Sequence, residues 1–135
     1  VQSGGSLRAA NSTFNGAITS SGASQFRLCG STVGGALRIQ NSPGRVQVGD
    51  ADLNCAGNTL RSILAVTGNT GGFEIYNNEI AGTTTITSNT SGPGEESDVT
   101  DNRMSNSLNC SGNTPPPTGG NNTTRGVKTG QCTLL

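Results

Sequence analysis

The stretch Ile75-Tyr-Asn-Asn78-Glu-Ile80-Ala-Gly-Thr-Thr84-Thr-Ile86-Thr-Ser-Asn89-Thr90 decides the fold once it is laid over Val99-Thr-Asp-Asn102-Arg-Met104-Ser-Asn-Ser-Leu108-Asn-Cys110-Ser-Gly-Asn113-Thr114. Both begin on an apolar residue and carry Asn at +3, an apolar residue at +5, a further frame position at +9, an apolar or cysteine residue at +11 and Asn-Thr at +14. Working outward, the frame also fits Cys55, Asn58, Leu60, Leu64, Val66 and Asn69-Thr70, and then Leu28, Ser31, Val33, Leu37, Ile39 and Ser42. Weaker copies run Ala9, Ser12, Phe14, Ile18, Ser20, Ala23 at the start and Thr118, Asn121, Thr123, Val127, Thr129, Cys132 at the end. The +5 column reads Phe14, Val33, Leu60, Ile80, Met104, Thr123, and the −2 column adds Leu7, Phe26, Leu53 and Phe73. Apolar and polar residues alternate in three short runs per copy, which is strand periodicity. Three short strands in a repeat of roughly twenty residues or more predict an all-β, right-handed, three-sided parallel β-helix of about six coils. Its strict requirement is that Leu60, Ile80 and Met104 sit vertically adjacent inside one stack.

Composition agrees with a repetitive β architecture. Only 30% of residues are hydrophobic and 3% aromatic, too few for a thick round core, while 12% charged residues at zero net charge do not describe a charge-swollen disordered chain. The length predicts a single domain over residues 1–135, with the Pro-, Gly- and Asn-rich segment 114–135 as a C-terminal cap. Surplus length is expected at one corner of each coil, in loops Ser42–Cys55 and Asn89–Val99, because loops tolerate insertion and stacked strands do not. Asn58, Asn78, Asn102 and Asn121 are expected to form an asparagine ladder at one corner, and Asn69, Asn89 and Asn113 a second, since stacked amides donate and accept along the axis.

The four cysteines, Cys29, Cys55, Cys110 and Cys132, lack CxxC spacing, and the chain has no histidine. Disulfides are the better reading, and they imply an oxidising compartment, secreted or at the cell surface. Three connectivities are open; Cys29–Cys55 with Cys110–Cys132 joins neighbours in the stack and is favoured. No apolar run is long enough to span a membrane.

The frame, the ladders and the Asn113-Thr-Pro-Pro-Pro-Thr-Gly-Gly-Asn tail resemble right-handed parallel β-helix repeat proteins of secreted bacterial origin. The resemblance covers nearly the whole chain from about Ser6. It implies a fold that hosts lyases, hydrolases, adhesins and passive stalks, and so speaks to architecture more than to activity.

Chemistry is sparse. Without histidine there is no Ser-His or Cys-His pair, and no catalytic residue or cofactor is expected. Enzymes on this fold need clustered carboxylates. Glu74 and Asp98 share the outward −1 column in neighbouring coils, below Arg8 and Arg27, and Asp50 and Asp52 form an i, i+2 pair. These four acids are the candidates for a ligand or cation, calcium included, although an outward strand position is expected to be solvated rather than perturbed. Tyr76 is the one outward aromatic. The arginines scatter over several faces and argue against nucleic acid. The Thr13, Thr32, Thr59 column breaks at Glu79 and Arg103, too early for a regular ice-binding array. Asn11, Asn89, Asn109, Asn121 and Asn122 match the glycan acceptor pattern. Residues 1–70 carry net charge +3 and residues 71–135 carry −3, an end-to-end dipole that favours head-to-tail self-association. The sequence thus supports a structural, adhesive or filament-forming extracellular protein, with a carbohydrate-binding, pectate-lyase-like module as the alternative and polysaccharide as its partner.

Overall fold

The computed structural model describes residues 1–135 and is a parallel β-solenoid of six coils, each giving one strand to each of three sheets. The first coil runs β1 (Ser6–Ala10), β2 (Thr13–Phe14) and β3 (Ile18–Ser21), and the second β4 (Gln25–Cys29), β5 (Thr32–Val33) and β6 (Leu37–Gln40). The third contains β7 (Val46–Val48), β8 (Thr59–Leu60) and β9 (Leu64–Thr67). The fourth follows with β10 (Phe73–Tyr76), β11 (Glu79–Ile80) and β12 (Thr84–Thr87), and the fifth with β13 (Ser97–Thr100), β14 (Arg103–Met104) and β15 (Leu108–Ser111). The sixth closes with β16 (Thr118–Gly120), β17 (Thr123–Thr124) and β18 (Lys128–Gly130). The first strand of every coil builds sheet 1, the second sheet 2 and the third sheet 3, all parallel.

The core is the stack of inward columns. Ile80 pairs with Leu60 on one side and Met104 on the other, as the frame requires, and all three are buried. Leu37, Leu64, Thr84 and Leu108 align in sheet 3, and Phe26, Val46 and Phe73 in sheet 1. Each coil buries its apolar residues only against its neighbours, so two-residue strands suffice where ladder and column reinforce each other.

Two copies are framed differently from the sequence expectation. In the third coil the position-0 residue is Val48, aligned between Leu28 and Ile75, and not Cys55. Val46 and Val48 bury the −2 and 0 positions, while Leu53 is 51% exposed. The surplus residues therefore leave after β7, at the corner between sheets 1 and 2, whereas in the fifth coil they leave between Asn89 and β13. Two corners take insertions, not one. The excursion opens at Gly49, whose φ of 73° suits glycine. A Cβ there would lie 2.1 Å from the Tyr76 carbonyl oxygen.

In the sixth coil the frame shifts by one residue. Val99 pairs with Gly119, Met104 with Thr124 and Leu108 with Lys128, so Thr118, Thr123 and Val127 are not the column residues, and Val127 is 62% exposed. The ladder residue is consequently Asn122, not Asn121. Asn121 sits one residue earlier, exposed, at φ 56°. Within the segment 114–135, residues 118–130 form the sixth coil, and Gln131–Leu135 turns across its end. Cys132 and Leu135 join the core there, while Leu134 is exposed.

Candidate acidic cleft on sheet 1

The outer face of sheet 1 carries a central in-register column: Arg8, Arg27, Gln47, Glu74, Asp98 and Thr118. Two cations stand at one end and two acids toward the other, with Gln47 between them. Gln47 belongs to the column because Val46 and Val48 on either side point inward, so strand β7 lies inside the stretch Ser42–Cys55 expected to be a loop.

The insertion after β7 turns part of this face into a site. It is closed at its base by Asp50 and Cys55, whose backbones exchange hydrogen bonds of 2.8 and 3.2 Å. Cys55 is also joined to Cys29 of the coil before it, with 4.8 Å between Cα atoms, the spacing of one coil step. The Asp50 carboxylate organises the loop from within. It accepts the N–H groups of Asp52 at 2.9 Å and Leu53 at 3.1 Å, and a hydrogen bond from Gln47 Nε2. Asp50 is 1% exposed and Asp52 is exposed, so the two do not present a joint pair of ligand oxygens. Nowhere do three or more acids, cysteines or histidines group as a metal site.

Folded over sheet 1, the loop buries Glu74, which is only 6% exposed. The Ala51 N–H donates to Glu74 Oε1 at 2.8 Å, and Arg45 Nη2 lies 2.9 Å from Oε2. Arg45 also reaches Glu96 at 3.3 Å, tying the cleft to the fifth-coil insertion. Burial pushes the Glu74 carboxyl above the usual carboxylate range, and the charge of Asp50 adds to this; the Ala51 and Arg45 hydrogen bonds oppose it without cancelling it. The expectation that this outward position would be solvated is corrected: a solenoid face is exposed only where no loop covers it. Asp98, one coil on, is half-buried and also raised. Desolvation leads, the Glu96 and Asp101 charges add, and the Thr100 hydroxyl hydrogen bond works against them.

Between the two insertions lies a cleft of about 280 Å³. Glu74, Asp98 and Tyr76 line it from the sheet, Ala51 and Asp52 from the first insertion and Glu96 from the second. Glu74 and Asp98 are therefore brought together, with Asp52 at the rim, and Asp50 serves the scaffold. Glu96 and Arg45 were not legible as site residues, because nothing local marks which loop residues meet over a distant strand. The other predicted residues lie away from the cleft. Asn58, Asn78 and Asn102 form the first ladder, and Cys110–Cys132 closes the C-terminal end with 5.3 Å between Cα atoms. Of the glycan acceptor asparagines, Asn89 and Asn122 are buried in ladders.

No protein-family model, curated protein or solved structure matches the chain.

Proposed function

We propose that this is an extracellular glycan-binding β-helix whose binding surface is the sheet 1 cleft. One observation carries the reading: two insertions leaving different corners of the solenoid converge on one face and enclose its acid pair beside its outward aromatic. A tyrosine flanked by hydrogen-bonding carboxyls is chemistry that holds a sugar ring, since the ring face packs on the aromatic and the hydroxyls meet the acids. Asp52, Glu74, Glu96 and Asp98 against the single Arg45 make the cleft electronegative, which favours neutral or amino sugars over polyuronates. The two disulfides support an oxidising, extracellular setting.

Head-to-tail filament assembly has less support. The C-terminal coil offers Gly119, Thr124, Lys128 and Gly130 where the preceding coil has Val99, Met104, Leu108 and Cys110, and the tail turns across them. A next copy would find a polar, covered end rather than an apolar column.

Calorimetric titration with a neutral β-1,4-glucan hexamer, its 2-amino-2-deoxy counterpart and a polyuronate tests the proposal. Saturable binding of one of the first two is expected, unaffected by chelator and weakened about tenfold by Tyr76→Ala. Absence of binding to all three, or binding indifferent to both Tyr76→Ala and Asp98→Asn, overturns it.

A further inference from the structure

On the other side of the first insertion the same face carries the opposite charge. Arg8 and Arg27 are in register in adjacent coils. Like charges directly opposite each other on a sheet repel, and no carboxylate neutralises this pair, since both ion pairs of the molecule belong to Arg45. Neutral acceptors hold the two guanidinia instead. Arg8 donates from Nε to Gln25 Oε1 at 2.8 Å, with Nη2 on the same oxygen, and Arg27 Nη2 donates to Leu53 O at 2.9 Å. Each guanidinium has five N–H donors, so most remain unused.

Those donors border a hollow of about 240 Å³, lined by Arg8, Ala9, Ala10, Arg27, Cys29 and Asn54. The Cys29–Cys55 disulfide and the Arg27 to Leu53 hydrogen bond fix the insertion that forms its far wall. The hollow and the acidic cleft thus lie on either side of one anchored loop, with opposite potentials.

We propose that the Arg8–Arg27 hollow is a binding site for a tetrahedral oxyanion, sulfate or phosphate, free or as an ester on a larger ligand. Two guanidinia one coil step apart, about 4.8 Å, present donors at two levels. A tetrahedral anion offers oxygens to both, whereas a planar carboxylate satisfies one fork. The anion also supplies the neutralisation that the stacked arginines lack. This site is independent of the glycan reading, because it uses neither the acids nor Tyr76.

The test is a ¹H–¹⁵N NMR titration of the full chain with sodium sulfate, sodium phosphate and sodium acetate at matched ionic strength. Saturable shifts at the amides of Ala10, Cys29 and Asn54 are expected with sulfate or phosphate, and whichever saturates at lower concentration identifies the ester. R8Q and R27Q should each weaken binding about tenfold, and the double variant should abolish it with the remaining spectrum folded. R103Q, which removes an exposed cation from sheet 2, should leave the affinity unchanged. Equal shifts with acetate, shifts that never saturate, or shifts that survive in the double variant overturn the site.

Discussion

At the residue scale the ladders show why an interior polar column is tolerated. The buried amide of Asn78 has a partner for every polar atom. Its Oδ1 accepts the Asn58 N–H at 2.8 Å and the Asn58 side-chain amide at 2.9 Å, while its Nδ2 donates to Val48 O at 2.7 Å and to Asn102 Oδ1 at 2.9 Å. Replacing it with alanine leaves the Asn58 backbone N–H without its acceptor and takes one bond each from the Asn58 side-chain amide, which keeps Leu28 O, and from the Val48 carbonyl, so Asn78→Ala should cost about 3 kcal/mol in denaturant unfolding. Asn122→Ala should lose the corresponding bonds to Asn102, whereas Asn121→Gly, at an exposed left-handed position, should stay within about 0.5 kcal/mol of the parent. Thr84 is the converse case. Its hydroxyl is buried with no hydrogen-bond partner in a column of leucines, so Thr84→Val should raise stability by about 1 kcal/mol. Asp98 supplies a signed pH prediction. A carboxyl whose folded pKa is raised binds more protons folded than unfolded, so its stability contribution is complete below the unfolded pKa and is lost as pH rises through the folded one. Asp98→Asn should therefore flatten the decline of Tm above about pH 4, the ordinary carboxylate range, and leave Tm unchanged at lower pH.

At the element scale the disulfide-anchored insertion after β7 separates two binding environments and desolvates Glu74. The crosslink spans a sequence separation of 26, and a closed loop of that size constrains the unfolded chain by roughly 3 kcal/mol. The double variant Cys29→Ala/Cys55→Ala should lose about that much stability. It should also admit protease between Asp52 and Asn54 and return the Glu74 carboxyl toward its ordinary titration, measured by ¹³C NMR. If Glu74 titrates as before in the double variant, the loop is not what buries it.

At the scale of the whole molecule, stability is shared between neighbouring coils and the ends are the vulnerable places. The C-terminal end is finished by composition as well as by the tail. Gly119, at φ 119°, fills a column position where a Cβ would stand 2.3 Å from the Val99 carbonyl oxygen, and Gln131 accepts and returns the last hydrogen bonds of the second ladder through Asn113. Removing Gln131–Leu135 uncovers that end and takes away the partner of Cys110. Light scattering should show the shortened chain associating at concentrations where the full chain does not.

The periodic part of the molecule was readable from the residues. Alternation at three places per repeat, with asparagine at fixed offsets, determines the three-sided solenoid, the Leu60–Ile80–Met104 stack and the ladders through Asn58, Asn78 and Asn102, because one coil can bury its apolar face only against another coil. The one-residue slip at Asn121 and Asn122 was ambiguous in that frame, though a second periodicity resolves it. A left-handed residue immediately precedes the ladder position in Asn77-Asn78, Asp101-Asn102 and Asn121-Asn122 alike. Val46-Gln47-Val48 was missed because Cys55 mimics the apolar residue it displaces, and its burial comes from a crosslink instead of a column. Only the tertiary structure decided that an exposed strand position became a buried acid. Which strand a loop covers depends on contacts between residues far apart in the chain, such as Ala51 with Glu74 and Arg45 with Glu96, and no local pattern of side chains encodes them.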